Sequence, residues 1–319
     1  MKLKILILLI VILSNLYSNN RAVKIISTIK KEQRVALIIG NNNYKGVLPK
    51  LHNPVNDARA IRDILKKRGF KIIYKENATK KEMNKKLDEF YKNIKKGGVG
   101  FFYFSGHGME VDGHNYLIPI DADIKEKSDT PYEAISLDKI TSRMQNAKNR
   151  LNIVVLDACR NDPFERAIGK GGLAKTEPIG LFISFSTGAG QVASDGRVGE
   201  NGLFTKSLIK YMQEPLTLQD VFRKTREEVY EASNHKQFPA IYDQTIRGYF
   251  YFTIPDDDII ERDIQKSSYV YDSISSSNIV DQNYEYSSSK KSIKSTKKKS
   301  FESIMDEEFN EFMRRMEEE

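Results

Sequence analysis

The chain has 319 residues, a length that suits one α/β domain with appendages or two small domains. Only 39% of the residues are hydrophobic and the mean hydropathy is −0.51, so part of the chain is expected to lack a packed core. The formal net charge of +8 is modest. A single cysteine, Cys159, excludes an internal disulfide and a thiolate zinc cage, so its thiol is either structural or reactive.

The N-terminal segment has the pattern of a secretory signal peptide. Lys2 and Lys4 precede the apolar run 5–13, which is followed by small and polar residues. This run of nine residues is shorter than the roughly 20 that a membrane-spanning helix needs. We therefore predict a signal peptide at residues 1–18, with cleavage after Ser18 and export to the periplasm or the medium. An uncleaved membrane anchor is the alternative.

Between residues 31 and 254, strand-like and helix-like patterns alternate. Apolar runs predict strands at 34–40, 71–76, 99–104, 151–157, 179–186 and 247–254. Apolar residues at helical spacing predict helices at 53–70, 79–98, 136–147, 201–212 and 217–233. Parallel strands need crossovers that are usually helical, so the order predicts an α/β fold with a mostly parallel central sheet and helices on both faces. Ligands of such sheets bind at the carboxyl ends of the strands.

Two of these strand ends carry a thiol and an imidazole. The strand at 99–104 leads into Ser-Gly-His-Gly with His107, and the strand at 151–157 leads into Asp-Ala-Cys with Cys159, 52 residues further on. A cysteine nucleophile needs a thiolate and an acid for the leaving amine, and a histidine supports both. Gly108 allows the backbone to approach a substrate, so its N–H and that of Cys159 can hold an oxyanion. A lone cysteine after an apolar strand is more often core packing, so the inference depends on the pair.

The segments VALIIGNNNY, NDARAIRDILKKRGF, FFYFSGHG and LDACRN, in this order, resemble the caspase/metacaspase clan of cysteine peptidases. The similarity is strongest to metacaspases, paracaspases and bacterial orthocaspases, and it covers roughly residues 31–253. It implies a caspase-like fold at 31–254 and an endopeptidase of protein substrates that uses His107 and Cys159 as its dyad without a cofactor. It also implies a large-subunit-like region (31–160), a connector (160–178) and a small-subunit-like region (179–254).

The resemblance also bears on the S1 pocket, which binds the substrate residue before the cleaved bond. Animal caspases bind a substrate aspartate through arginines, but one of these positions falls here on Leu51. Acidic residues occur instead where metacaspases and paracaspases carry theirs, at Asp57, Asp157 and Asp195, the last in a loop that resembles part of the S1 wall. Asp157 and Cys159 share a face of an extended segment. Simpler interpretations are a helix-start charge for Asp57 and a turn residue for Asp195. Together the three acids predict cleavage after Arg or Lys.

The connector predicts self-processing. It offers Arg166, Lys170 and Lys175 in a Gly-rich stretch that can adopt the extended form a protease cleft requires. The Lys-rich segment 290–299 is a second region for such a cut. A single-chain enzyme, as in paracaspases, is the alternative.

The C-terminal residues are predicted to be a linker and a helix. Ser, Asp, Lys and Asn dominate 255–300, which cannot bury enough apolar surface to offset its ordering entropy, so we predict a disordered linker. Residues 301–319 carry apolar residues three and four positions apart, as in an amphipathic helix. That helix either packs on its own domain or binds a partner. The Lys run lacks interleaved aromatic residues, so nucleic-acid binding is not expected.

No metal site is predicted. The acidic run 255–263 lacks the spacing of an EF-hand, although some metacaspases are calcium-dependent, which leaves calcium activation open. His52, His114 and His235 show no metal-ligand spacing. The rival hypothesis from another class is a catalytically silent caspase-like interaction module that works through 301–319. The sequence leaves the oligomeric state open.

Overall fold

Most of the strands and helices occur where the sequence predicts them. In chain order the strands are β1 (Arg34–Gly40), β2 (Lys71–Glu76), β3 (Val99–Gly106), β4 (Gly108–Val111), β5 (His114–Leu117), β6 (Ile135–Ser136), β7 (Leu151–Ala158), β8 (Leu181–Phe185) and β9 (Ala240–Asp243). The helices are α1 (Pro54–Lys67), α2 (Lys80–Ile94), α3 (Thr130–Glu133), α4 (Leu137–Asn146), α5 (Leu203–Met212) and α6 (Leu218–Ala232), with a 3₁₀ turn at Lys127–Asp129.

The structure is a computed structural model that describes residues 31–46, 48–94, 98–158, 181–188, 199–245 and 249–263. The predicted signal peptide, the connector and the C-terminal helix lie outside these residues. Within them no helix is both long and apolar enough to span a bilayer.

The central sheet has six strands in the order β2-β1-β3-β7-β8-β9. The first five are parallel, and β9 is antiparallel to β8 at the edge. The predicted α/β class with a mostly parallel sheet is therefore confirmed. Because β1, β3 and β7 lie inside the sheet with helices over both faces, their sequences are continuous apolar runs.

Successive residues of each strand enter two separate cores, since side chains alternate between the faces of a sheet. Phe102 and Phe104 of β3 pack with residues of α2 and α4. Phe101 and Tyr103 pack on the opposite face with residues of α1, α5 and α6. The helices are amphipathic and turn their apolar residues to these faces. A side chain's position in the strand therefore decides which helices it meets.

The predicted strand at 247–254 is wrong for its described residues 249–254. They contain a single bridge, between Tyr251 and Thr217. The last strand among the described residues is β9, which the sequence patterns did not predict. Phe250 and Phe252 are buried in the core that contains Phe101, and the Phe252 ring makes an edge contact with Phe101 at 6.0 Å between centroids. Since Tyr251 is buried as well, the aromatic run is a loop packed from several sides.

The predicted disordered linker is also wrong at its start. Residues 257–263 are helical, and Ile260 within them is fully buried. The carboxylate of Asp263 accepts a hydrogen bond of 2.8 Å from the Tyr251 hydroxyl. The folded domain therefore extends beyond the predicted boundary at 254, and the acidic run is partly engaged in its packing. The remainder of the linker lies outside the described residues.

A second, antiparallel sheet of order β4-β5-β6 follows directly after the end of β3. The sequence patterns did not predict it, because its strands have only two to four residues. Its first residue is Gly108, paired with Leu117. His107 thus occupies the single position between the central sheet and this small sheet.

Candidate functional site

The pairing of β3 with β7 sets the geometry of the site. Ser105 lies opposite Asp157, and Gly106 lies opposite Ala158 at the carboxyl ends of both strands. His107 is the next residue after one strand and Cys159 the next after the other. Cys159 itself lies outside the described residues. The two strand ends are thus adjacent as predicted, and the described pairing extends to Ala158, the residue before the thiol.

Backbone oxygen and a tyrosine hydroxyl hold His107. Its N–H donates to the Tyr44 hydroxyl at 2.7 Å, and its Nε2 lies 2.8 Å from the carbonyl oxygen of Pro49. A carbonyl oxygen only accepts, so Nε2 carries the proton, and in the neutral ring Nδ1 is the basic nitrogen. The rings of Tyr44 and His107 are in contact, with centroids 4.5 Å apart and planes inclined by 56°. The imidazole is therefore fixed in both orientation and tautomer.

Tyr44 is a site residue that sequence reasoning missed. It is buried, and burial raises the pKa of its phenol far above the ordinary value, so the hydroxyl keeps its proton. That hydroxyl lies 3.3 Å from the Ile118 carbonyl, to which it donates. A Cβ at Gly106, where φ is +154°, would lie 2.5 Å from the Tyr44 hydroxyl oxygen. The glycine before His107 therefore makes room for the group that holds His107.

Asp57 and Asp157 come together on the α1, α5 and α6 face of the sheet. Asp57 is in the first turn of α1, is only 3% exposed, and accepts the N–H of Gly202 at 2.9 Å. Asp157, at the end of β7, accepts the Thr205 hydroxyl at 2.7 Å. Burial raises the pKa of Tyr103 well above its ordinary value, and the negative charges of Asp157 and then Asp57 raise it further. Both carboxylates therefore act on the same buried hydroxyl.

The predicted third acid, Asp195, and the predicted self-cleavage residues Arg166, Lys170 and Lys175 lie outside the described residues. Leu51 packs on a small apolar cluster beside the site, which includes Tyr44 and Met109. The side chain that the sequence resemblance assigns to a caspase arginine position is therefore part of an apolar cluster.

Sequence patterns did not identify Asn53 or the segment that leads into α5 as part of the site. Asn53 precedes α1, and its Oδ1 accepts the N–H of Gly199 at 3.0 Å. With the Asp57–Gly202 bond, this contact attaches the segment that enters α5 to the start of α1. The strand-end rule could not find these residues, because they lie on helices and loops far away in sequence.

No group of three or more His, Cys, Asp or Glu side chains that could bind a metal ion occurs in the part of the chain that the structure describes.

An α/β sheet of this order, with a histidine and a cysteine following adjacent strand ends, is the arrangement of a caspase-like domain. The family model of the caspase domain of C14 peptidases matches residues 33–251, and the chain belongs to this family. Proteins of this family include cysteine peptidases, which hydrolyse protein substrates.

Three similar proteins illustrate this membership. Human mucosa-associated lymphoid tissue lymphoma translocation protein 1 is 34% identical over 129 residues, 40% of this chain and 15% of that protein. Caspase-1 of Rattus norvegicus is 27% identical over 243 residues, 68% of this chain and 59% of that protein. A probable protease of a Desulfuromonadales bacterium is 33% identical over 134 residues, 38% of this chain and 16% of that protein. The matches thus span less than two thirds of each relative.

The Tyr44→Phe variant tests how the imidazole is held. Without the hydroxyl the His107 N–H loses its acceptor, whereas the Ile118 carbonyl keeps the amide of Asn41 as a donor at 3.1 Å. We expect the free energy of unfolding to fall by about 0.5–1.5 kcal/mol, the net contribution of a hydrogen bond to a partly buried group. Urea denaturation measures it.

The control for this variant is Tyr74→Phe, which removes a hydroxyl bonded to Glu76 at 2.7 Å at the half-buried edge of the sheet. Water can replace that partner, so the loss should be smaller. Equal losses in the two variants would contradict the role given to Tyr44.

Proposed function

We propose that this protein is a cysteine endopeptidase that uses His107 and Cys159 and cleaves after Arg or Lys. The observation that carries the proposal is the pairing of Gly106 with Ala158. Gly106 directly precedes His107, and Ala158 directly precedes Cys159. The histidine and the cysteine therefore follow neighbouring positions at one edge of the sheet. The orientation of His107 supports the same assignment, because Nε2 donates to the Pro49 carbonyl and leaves Nδ1 as the base.

The chemistry requires one proton carrier and one nucleophile. Nδ1 of His107 takes the thiol proton, and the thiolate of Cys159 attacks the scissile carbonyl. The N–H groups of Gly108 and Cys159 stabilise the oxyanion that forms. The imidazolium gives its proton to the leaving amine, and the same ring then activates the water that hydrolyses the thioester.

The acidic residues supply the specificity. Asp57 and Asp157 place negative charge on the face of the sheet that contains Tyr103, and Asp195 is proposed to join them. A guanidinium or ammonium entering this pocket replaces lost hydration with charge-assisted hydrogen bonds. A substrate carboxylate would meet like charge there, which disfavours cleavage after Asp.

The silent interaction module is not favoured, because the sequence carries His107, Cys159 and the three acids, a set that a module without catalysis does not need. We further propose export through residues 1–18, with membrane anchoring as the alternative, and a partner-binding role for 301–319. The reaction needs no cofactor, and calcium activation is tested by chelation.

The dyad is tested with Cys159→Ala and His107→Ala. Each variant should lower turnover of a fluorogenic Arg peptide by several orders of magnitude, since nucleophile and base act as a unit. Circular dichroism should show an unchanged fold. A Cys159→Ala protein that retains more than a small fraction of wild-type turnover would end the peptidase assignment.

The specificity is tested with Asp157→Asn, which keeps the shape of the side chain and removes its charge. KM for Arg and Lys substrates should rise, and a peptide library should show basic residues at P1 in the wild type. The exposed Asp63, paired with Arg62 on α1, provides the control Asp63→Asn, which should leave KM unchanged. A library profile dominated by acidic P1 residues would contradict the proposal.

Self-processing is tested by comparing the wild type with Cys159→Ala on a denaturing gel. Wild-type fragments should have N-termini that follow Arg166, Lys170 or Lys175, and the variant should stay intact. An intact wild type with demonstrated activity, or identical fragments from both proteins, would show that the enzyme does not cut itself.

A further inference from the structure

A chain of buried hydroxyl groups ends on one carboxylate of the proposed specificity pocket. The Tyr103 hydroxyl lies 2.6 Å from Thr205 Oγ1, and Thr205 Oγ1 lies 2.7 Å from Oδ2 of Asp157. Tyr103 and Thr205 are both fully buried. The chain links the interior of the sheet, at β3, to its carboxyl edge, at the end of β7, through the first turn of α5.

Only one direction of donation satisfies these three groups. Thr205 has a single hydroxyl proton, which goes to the carboxylate because a carboxylate can only accept. The Tyr103 hydroxyl must therefore donate to Thr205. The raised pKa of Tyr103 is consistent with this direction, because the phenol keeps its proton. The bond at the end of the chain is charge-assisted and is the stronger of the two.

The N-terminal end of α5 also holds the second carboxylate, that of Asp57. Gly202 precedes the helix and donates its N–H to Asp57 at 2.9 Å. Thr205 follows one turn later and donates to Asp157. Two acids from distant parts of the sequence are thus oriented by one rigid element.

We propose that Thr205 is a positioning residue for specificity: its hydroxyl fixes the carboxylate plane of Asp157, and this orientation gives the pocket a preference for Arg over Lys. The inference deepens the proposed function and rests on it. Thr205 is fully buried and acts through Asp157. A planar guanidinium needs a carboxylate held at a defined angle for its paired hydrogen bonds, whereas an ammonium group accepts many directions. Loss of the hydroxyl should therefore affect Arg substrates more.

The experiment compares four full-length variants with matched Arg and Lys fluorogenic peptides. Thr205→Val removes the hydroxyl at constant shape, and Thr205→Ser keeps it. Thr225→Val is the control, because Thr225 is buried on α6 and donates to the Val221 carbonyl at 2.7 Å, with no contact to Asp157 in the described hydrogen bonds. The rate of alkylation of Cys159 by iodoacetamide is measured in each, since this is the only cysteine. It reports on the thiol without using the pocket.

For Thr205→Val we expect kcat/KM with the Arg peptide to fall about tenfold, mainly through KM, and the Arg/Lys ratio to fall with it. Thr205→Ser should restore the ratio, the Thr225→Val ratio should match wild type, and alkylation should be unchanged in all three threonine variants. Tyr103→Phe, which leaves the Thr205–Asp157 bond in place, should shift the ratio in the same direction by less.

The inference is overturned if wild type prefers Arg and Thr205→Val keeps that ratio, or if both substrates and alkylation fall together, which indicates a general loss of structure. A wild type that cleaves neither peptide overturns the proposed function, and the inference with it. The two failures are thus distinguished by the wild-type measurement alone.

Discussion

The parallel pairing of β3 with β7 is the constraint on which the site depends. Side chains alternate across a sheet, so a slip of one residue would move Asp157 to the opposite face and separate it from Thr205. Eight residue pairs, from Val99 with Leu151 to Gly106 with Ala158, fix the register. Both faces of these strands are buried. A slip would therefore move every apolar side chain of one strand into the core on the opposite face. The packing of the core therefore fixes the alignment of the two strand ends that precede His107 and Cys159.

Placing two carboxylates in one partly buried region is costly, because burial removes water from a charge. The protein offsets this cost with donors that belong to rigid elements. Asp57 lies in the first turn of α1, where the helix dipole favours negative charge, and it accepts a backbone N–H of Gly202. Asp157 accepts the hydroxyl of Thr205. Both of these donors are neutral groups at the N-terminal end of α5.

The sequence predicted the parts of this arrangement that depend on local pattern. Five strands of the central sheet and the helices around them follow from apolar periodicity, and the position of His107 follows from the rule about strand ends. Two predictions from apolar periodicity failed, because the local pattern did not reflect the contacts in the folded chain. The edge strand β9 was missed because it is short and its pattern is weak. Residues 250–252 were predicted as a strand, although Phe250 and Phe252 pack between other elements of the core. Thr205 and Tyr44 could not be predicted, because only the folded chain brings them to their partners.

Toward the carboxyl edge, β3 and β7 become polar on one face only. On the side of α1, α5 and α6, the residues toward the carboxyl edge run from Phe101 through Tyr103 to Ser105 on β3, and from Ile153 through Val155 to Asp157 on β7. On the other side, apolar or small residues continue to the last pair, Gly106 with Ala158. The polar side chains at the end of these two strands, Ser105 and Asp157, therefore lie on one face. The transition from core to site requires groups that are apolar along their length and polar at the tip, which explains a tyrosine at 103 and a threonine at 205. A phenylalanine at 103 would fill the same space, but it would leave the Thr205 oxygen without its donor.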